Sequence, residues 1–311
     1  MQSVSVLRIG AHPILKVFLF FGLAFLITWG TGMVVVLSTH SELVNNVQPI
    51  VHPIPLPFPL AIFLVIIGSF GPALAAFIIT AFDTGRSGVH DLLRQFRRWH
   101  TGWTWFATAL LGPALLAFIA LVLTVAFGGT APAHWFGFPQ AREFAGWAVG
   151  PWGEELGWRG YAQPTLQRRW SAFRTSLLVG TMWWTWHHWV MATPASSSLS
   201  YWFAHFGPSG AFLVFELANS VLMAWLYNST GGSLPIAWAA HVGLSLGGQL
   251  VHINPYPFGF FLLVFWMAAA LVVVVNGPRT LSSIPEQQLR TKYFQELGRG
   301  ECRGRKSTGD K

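Results

Sequence analysis

The stretch GPWGEELGWRGYAQPTLQRR, Gly150 to Arg169, sets two adjacent carboxylates and an arginine inside a chain that is otherwise apolar. Charged residues are 10% of the 311 and hydrophobic residues 53%, whereas a soluble domain carries roughly a quarter charged. Mean hydropathy is +0.48. This balance excludes an ordinary soluble enzyme and implies a polytopic membrane protein. Within a span, a bare charge costs on the order of a few kcal/mol, so each one asks for a partner or a purpose. The 17 tryptophans and 26 phenylalanines suit lipid-facing surfaces and interfacial aromatic belts.

Outward from that stretch, apolar runs near the spanning length of about 20 residues occur at 14–38, 57–82, 103–128, 172–193, 209–228, 233–251 and 256–276. The segment 143–166, which holds the opening stretch, is less apolar but bounded like the others. The predicted fold is therefore all-α: a polytopic membrane protein of about eight transmembrane helices, with the active site inside the helical bundle. Residues 1–276 form one membrane domain. Residues 277–311 form a basic tail, polar and Gly-rich at its end, expected to be partly disordered. The first apolar run is too long for a signal-peptide core and reads as the first span.

Basic residues test the count. Arg86, Arg94, Arg97 and Arg98 share one loop, Arg168, Arg169 and Arg174 another. The tail carries Arg279, Arg290, Lys292, Arg299, Arg303, Arg305 and Lys306. The loops between hold Arg142 or no Lys or Arg at all. This alternation predicts both termini in the cytoplasm, and an integral protein of a bacterial cell membrane is the expected location. The net charge of +8 then reads as topology signal and contact with the lipid bilayer, not as a nucleic-acid footprint. The loop DTGRSGVHDLLRQFRRWHTGW, Asp83 to Trp103, reads as a short amphipathic helix on the membrane surface. The single cysteine, Cys302, excludes an internal disulfide and a cysteine metal cluster.

The ionisable residues within predicted spans are Glu154, Glu155, Arg159, His187, His188, Glu216 and His241. Glu155 and Arg159 are four apart and can pair along one helix stripe. Glu154 projects about 100° away from Glu155, so it is free to act elsewhere, for instance as a general base. Both acids serving only to neutralise Arg159 is the plainer alternative. Glu154 lies about 12 residues before the end of its helix, roughly 18 Å. His187 lies about 15 residues into its own, roughly 22 Å, and His241 about 8, roughly 12 Å. Allowing for boundary error, an acid and two histidines reach one level within the membrane. Trp183 and Ser245 fall four residues from His187 and His241, on the same faces. Either can line the pocket or simply pack. His188 points away and reads as packing, and Glu216, near Asn219 and Ser220, reads as a polar contact between helices.

These residues carry a resemblance. EELGWR (154–159), WWTWH (183–187) and HVGLS (241–245), with WLYNSTGGSLPIAWAAHVG between the last two, resemble the CPBP family, the CAAX-protease and bacteriocin-processing group of intramembrane proteases. Residues 143–250 carry the likeness. The resemblance implies an endopeptidase that cuts a membrane protein or peptide substrate within or beside the bilayer. It assigns water activation to Glu154 with His187, oxyanion support to His241 with Ser245, and a structural role to Glu155 and Arg159. Ser245 stands where prenyl-protein endopeptidases of the family carry Asn; serine reaches less far, which leaves processing of prenylated CAAX proteins open. The family is often called metalloprotease. Zinc held by histidines and a carboxylate is chemically plausible here, but no His-Glu-x-x-His run is present, and metal-independent activation is the expectation. A proton-coupled transporter using the same residues as a relay, or a non-catalytic membrane scaffold, remains the alternative.

Overall fold

Without water in the bilayer core, each backbone N–H and C=O of a span must be satisfied within its own helix, and the long apolar runs fold accordingly. The computed structural model describes residues 13–39, 58–137, 141–188, 210–250 and 258–289. It contains α1 (Pro13–Thr39), α2 (Phe58–Ser69), α3 (Gly71–Arg94), α4 (Trp103–Ala126), α5 (Ala141–Gly157), α6 (Gln163–Leu166), α7 (Ala172–Trp186), α8 (Ala211–Ser229), α9 (Leu234–Leu250) and α10 (Phe258–Asn276). The protein is an all-α polytopic membrane protein. Pro13–Val34, Trp103–Ala126, Ala211–Ser229 and Gly259–Asn276 are long and apolar enough to cross a membrane.

The other expected spans are more broken than their hydropathy shows. The run 57–82 is two helices, α2 and α3, parted at Phe70 (φ −91°, ψ 7°) just before Gly71-Pro72. Helix α3 then continues to Arg94 through a kink at Gly85, whose φ is 67°. Beyond that break, where Gly85 is not helical (φ 67°, ψ −155°), the Asp83–Trp103 loop holds a helical segment of its own, and its Leu92 and Gln95 are buried. The run 143–166 is α5, a π-helical turn over Trp158–Ala162, and the short α6. Helix α7 ends at Trp186, and 189–193 of its expected span lie outside the described residues.

Helix α5 lies between α3 and α9; α1 covers α2 and α3, α4 runs along α9, and α7 along α8, with α10 against α8 and α4. One apolar cluster joins Phe20, Phe21, Trp158, Trp183 and Trp186. A second joins Phe212, Phe215, Phe261 and Phe265. The outward faces of α1, α4 and α10 expose Leu26, Leu111, Leu115, Met267 and Val274, a surface that lipid covers.

Two pairs of glycines, each spaced by four, set how closely the helices meet. A methyl group on Gly153 would lie 2.9 Å from Phe70 Cα, and one on Gly157 would lie 2.7 Å from the Pro72 carbonyl. Glycine lets α5 rest on the α2–α3 junction, backbone to backbone. Gly247 does the same on α9, where a methyl would sit 2.9 Å from Ala114 N of α4. Small residues at this spacing are the usual means of close helix packing in lipid.

The start of the tail, 277–289, is folded onto the bundle; residues 290–311 lie outside the described residues. The carbonyls of Pro278 and Arg279 accept from Phe173 N and Ala172 N at the start of α7. Asn228 Nδ2 holds the Thr280 carbonyl at 2.6 Å. Leu281 is fully buried in spite of a positive φ of 48°. Its apolar side chain is the anchor that polarity along the segment concealed.

Gly157→Ala should lower stability by about 1–3 kcal/mol, because the opposing atoms are the ring and backbone of Pro72 and cannot yield. Gly150→Ala, with open space around it, should leave stability unchanged or slightly raised. Thermal unfolding of the two variants in detergent checks the contrast.

Candidate active site

Helix α5 presents its acids to two different neighbours. Glu155 and Arg159 are fully buried, and Arg159 Nη1 donates to Glu155 Oε1 at 3.1 Å. His241 Nδ1, on α9, lies 2.9 Å from the same oxygen. A carboxylate can only accept, so Nδ1 carries the proton and Nε2 is left for the site. The helix-internal pair is therefore also the bond that ties α5 to α9.

Glu154 faces α7. Trp183 Nε1 donates to its Oε2 at 2.8 Å. His187 Nε2 lies 4.0 Å from that oxygen. This is too far for a direct hydrogen bond and fits two groups that share one water. The Trp183 ring meets both imidazoles, 5.5 Å from His187 and 5.0 Å from His241. The Arg159 guanidinium sits 4.6 Å from the indole centroid, within cation–π range. Trp183 thus touches Glu154, Arg159 and both imidazoles and acts on the carboxylate, where the sequence offered only a pocket wall or packing.

His188 turns back on its own helix, with Nδ1 3.0 Å from the Trp184 carbonyl and its ring on Trp184. Of the two equally spaced Trp-His pairs, Trp183 and His187 are the one brought to Glu154. Ser245 shares the face of His241, but its hydroxyl donates to the His241 carbonyl at 3.3 Å. Glu216 is buried in α8 and accepts from Asn219 Nδ2 at 3.5 Å, along its own helix. Among the described residues, that contact replaces the expected bridge between helices.

Several supporting residues escaped the sequence reading. Pro164 has no N–H to give the Gly160 carbonyl four residues back; Gln95 Nε2 supplies one at 3.0 Å. Gln95 Oε1 in turn accepts from Tyr227 OH at 2.7 Å. The π-helical turn carrying Arg159 is thereby fixed to α8 through the loop after α3. Trp186 Nε1 donates to Thr28 Oγ1 at 2.9 Å, and Thr28 to the Gly68 carbonyl at 2.7 Å, which fixes the end of α7 to α1 and α2. The signal available was an isolated Gln, Tyr or Thr in an apolar run, where polar groups must find partners.

Among the described residues, no three His, Cys, Asp or Glu side chains are grouped to hold a metal ion. Glu155 Oε1 is committed to Arg159 and His241, and Glu154, His187 and the Nε2 edge of His241 are not grouped as a ligand set among the described residues. The donor set does not fit the zinc reading, and no step below runs through a metal.

Residues 141–247 match the family described as Type II CAAX prenyl endopeptidase Rce1-like. A curated relative, CAAX prenyl protease 2 of Methanococcus maripaludis, is 26% identical over 195 residues, 61% of this chain and 67% of the relative. Both likenesses support a CPBP-type intramembrane protease. The matched segment runs from α5 to α9 and contains every residue of the cluster. The enzyme is an endopeptidase of this type, embedded in the membrane.

Trp183→Phe keeps the ring and removes the N–H held by Glu154. A hydrogen bond to a charged group contributes about 1.5–3 kcal/mol, so turnover should fall roughly 10- to 100-fold with the protein still folded. Trp184→Phe, whose indole N–H has no partner among the described residues, should leave turnover unchanged. Initial rates of the two variants on one peptide substrate decide the matter.

Proposed function

We propose that this protease hydrolyses a peptide bond of a membrane-associated protein or peptide with a water held between Glu154 and His187. The observation that carries this reading is the 4.0 Å spacing of Glu154 Oε2 and His187 Nε2, with the carboxylate fixed by Trp183. A water in that gap gives one hydrogen to Oε2 and the other to Nε2, and its lone pair is left to face the scissile carbonyl. On attack, the C–O bond forms and the proton passes to Glu154. The carbonyl oxygen becomes an oxyanion. His241 opposes it only when Nε2 also carries a proton, as an imidazolium backed by Glu155. Collapse breaks the C–N bond, and Glu154 returns its proton to the leaving amine. Arg159 is a positioning residue: it neutralises Glu155 and packs on Trp183.

Ser245 is the weaker member of the expected set, since its hydroxyl is turned to the His241 backbone. It joins the oxyanion support only by leaving that carbonyl. The substrate class follows from kinship: the matched family and the methanococcal relative are both named for prenyl substrates. A prenylated C-terminal peptide is the first substrate to try. The shorter Ser245, where Asn is expected, is the feature that argues for a different one. The reading places the enzyme in the lipid bilayer of a bacterial cell, with both termini in the cytoplasm, as the alternation of basic loops supports.

The test uses the full chain in liposomes, with a prenylated peptide and its unprenylated twin, and mass spectrometry of the products. Glu154→Gln and His187→Ala should each lower cleavage on the order of 100-fold or more while the protein stays folded and inserted. Normal processing by both variants would sink the assignment, and solute flux with no product peptide would favour the transporter. Ser245→Ala should stay within about threefold of wild type, whereas loss of a true oxyanion donor costs on the order of 100-fold or more. Cleavage should persist after exhaustive chelation.

A further inference from the structure

At the basic end of the bundle, away from Glu154, a cavity of about 500 Å³ opens between the end of α6, the start of α7 and the folded beginning of the tail. Arg169, Trp170, Ser171, Arg174, Arg279 and Glu286 are in its walls. Its charges do not balance. Glu286 Oε2 pairs with Arg279 Nε at 2.5 Å. Arg169 and Arg174 are exposed, and neither guanidinium has a carboxylate partner among the described residues. The positive end of the α7 dipole points into the same space and adds to the potential. The first backbone N–H groups of α7 are already used, by Arg279 O, Pro278 O and Ser171 Oγ. An anion here is therefore held by arginine side chains, which match phosphate oxygens with paired donors.

The cavity is preformed, since buried Leu281 and Leu289 and the Asn228–Thr280 bond hold the tail segment in place. Its volume lies in the range of small-molecule sites. Its position selects among anions. The membrane span Gly259–Asn276 ends two residues before Pro278, and its last turns expose Leu271, Val274 and Val275. The cavity thus lies just beyond a lipid-covered surface, at headgroup level.

We propose that this cavity binds a phosphate group through Arg169 and Arg174, and that an anionic phospholipid headgroup is its source. The site makes no use of the Glu154 cluster, so it stands or falls apart from the proposed reaction. The full chain is placed in nanodiscs of phosphatidylcholine, with or without phosphatidylglycerol, and retained lipid is read by native mass spectrometry. Thermal unfolding is followed in parallel. Wild type should retain phosphatidylglycerol preferentially and unfold at a higher temperature with it. Arg169→Gln/Arg174→Gln should weaken retention about 10- to 30-fold, at roughly a factor of five per arginine. Arg86→Gln/Arg97→Gln removes the same charge elsewhere and should not weaken it. Arg174→Gln alone should show part of the loss, and serves if the double variant does not insert. Inorganic phosphate added to phosphatidylcholine nanodiscs separates the sources. Stabilisation by phosphate alone, lost in the double variant, keeps the anion site and makes the source soluble. Equal retention by the two double variants, or no effect of either phosphatidylglycerol or phosphate on wild type, overturns the proposal.

Discussion

One carboxylate oxygen, Glu155 Oε1, holds both Arg159 and His241, and the rest of the site depends on it. A guanidinium fully buried in a membrane protein cannot stand alone, because breaking such a pair leaves a bare charge at a cost of about 3–5 kcal/mol. Glu155 removes that cost and orients the imidazole of a second helix by the same contact. From there the contacts continue in order: Arg159 packs on the Trp183 ring, and the Trp183 N–H fixes Glu154. Three helices, α5, α7 and α9, are joined by polar contacts at one level. The two neighbouring acids have separate surroundings: Glu155 Oε1 is taken up by Arg159 and His241, while Glu154 faces a gap.

That chain of contacts needs backbones closer than ordinary side chains permit. Gly153 and Gly157 seat α5 on the α2–α3 junction, and Gly243 and Gly247 seat α9 on α4. Glu154 and Glu155 lie between the first two glycines, and His241 lies two residues before the third. The acids and the histidine therefore sit where the helices have least freedom to shift. The π-helical turn after Gly157 carries Arg159, and its carbonyl released by Pro164 is taken by Gln95. Such turns recur at functional sites because they re-aim side chains without ending the helix. Here Arg159 is kept on Glu155 while the chain goes on to α6.

Much of this was legible in the sequence, for stated reasons. Composition gave the membrane class, and helical spacing gave the Glu155–Arg159 stripe. Hydropathy alone could not show the break at Phe70, since α2 and α3 are both apolar and a window averages across the join. Facing directions were also out of reach. That His241 shares an oxygen with Arg159, or that Trp183 donates to Glu154, depends on how helices rotate about their axes, and residues 86 and 29 apart in sequence carry no common periodicity. In the tail, polarity along 277–289 gave no sign of its one fully buried leucine, Leu281. Ser245 lies on the expected face, yet its rotamer spends the hydroxyl on the backbone, which spacing cannot reveal.

The basic residues have a second use that charge counting hides. Arg98 reads in sequence as one of several topology signals. In the fold, its Nη1 donates to the carbonyls of Gly231 and Gly232 at 2.7 and 3.1 Å, and its own carbonyl accepts from Ser233 Oγ. Gly231 and Gly232 both have positive φ, so the turn between α8 and α9 can be tight, and Arg98 satisfies the carbonyls that the turn leaves bare. That turn fixes where α9 begins. His241 follows Ser233 by about two helical turns, so its depth is set from the membrane surface by an arginine that never approaches the site. A basic residue that reads in sequence as a topology signal thus also sets the level at which the histidine meets Glu155.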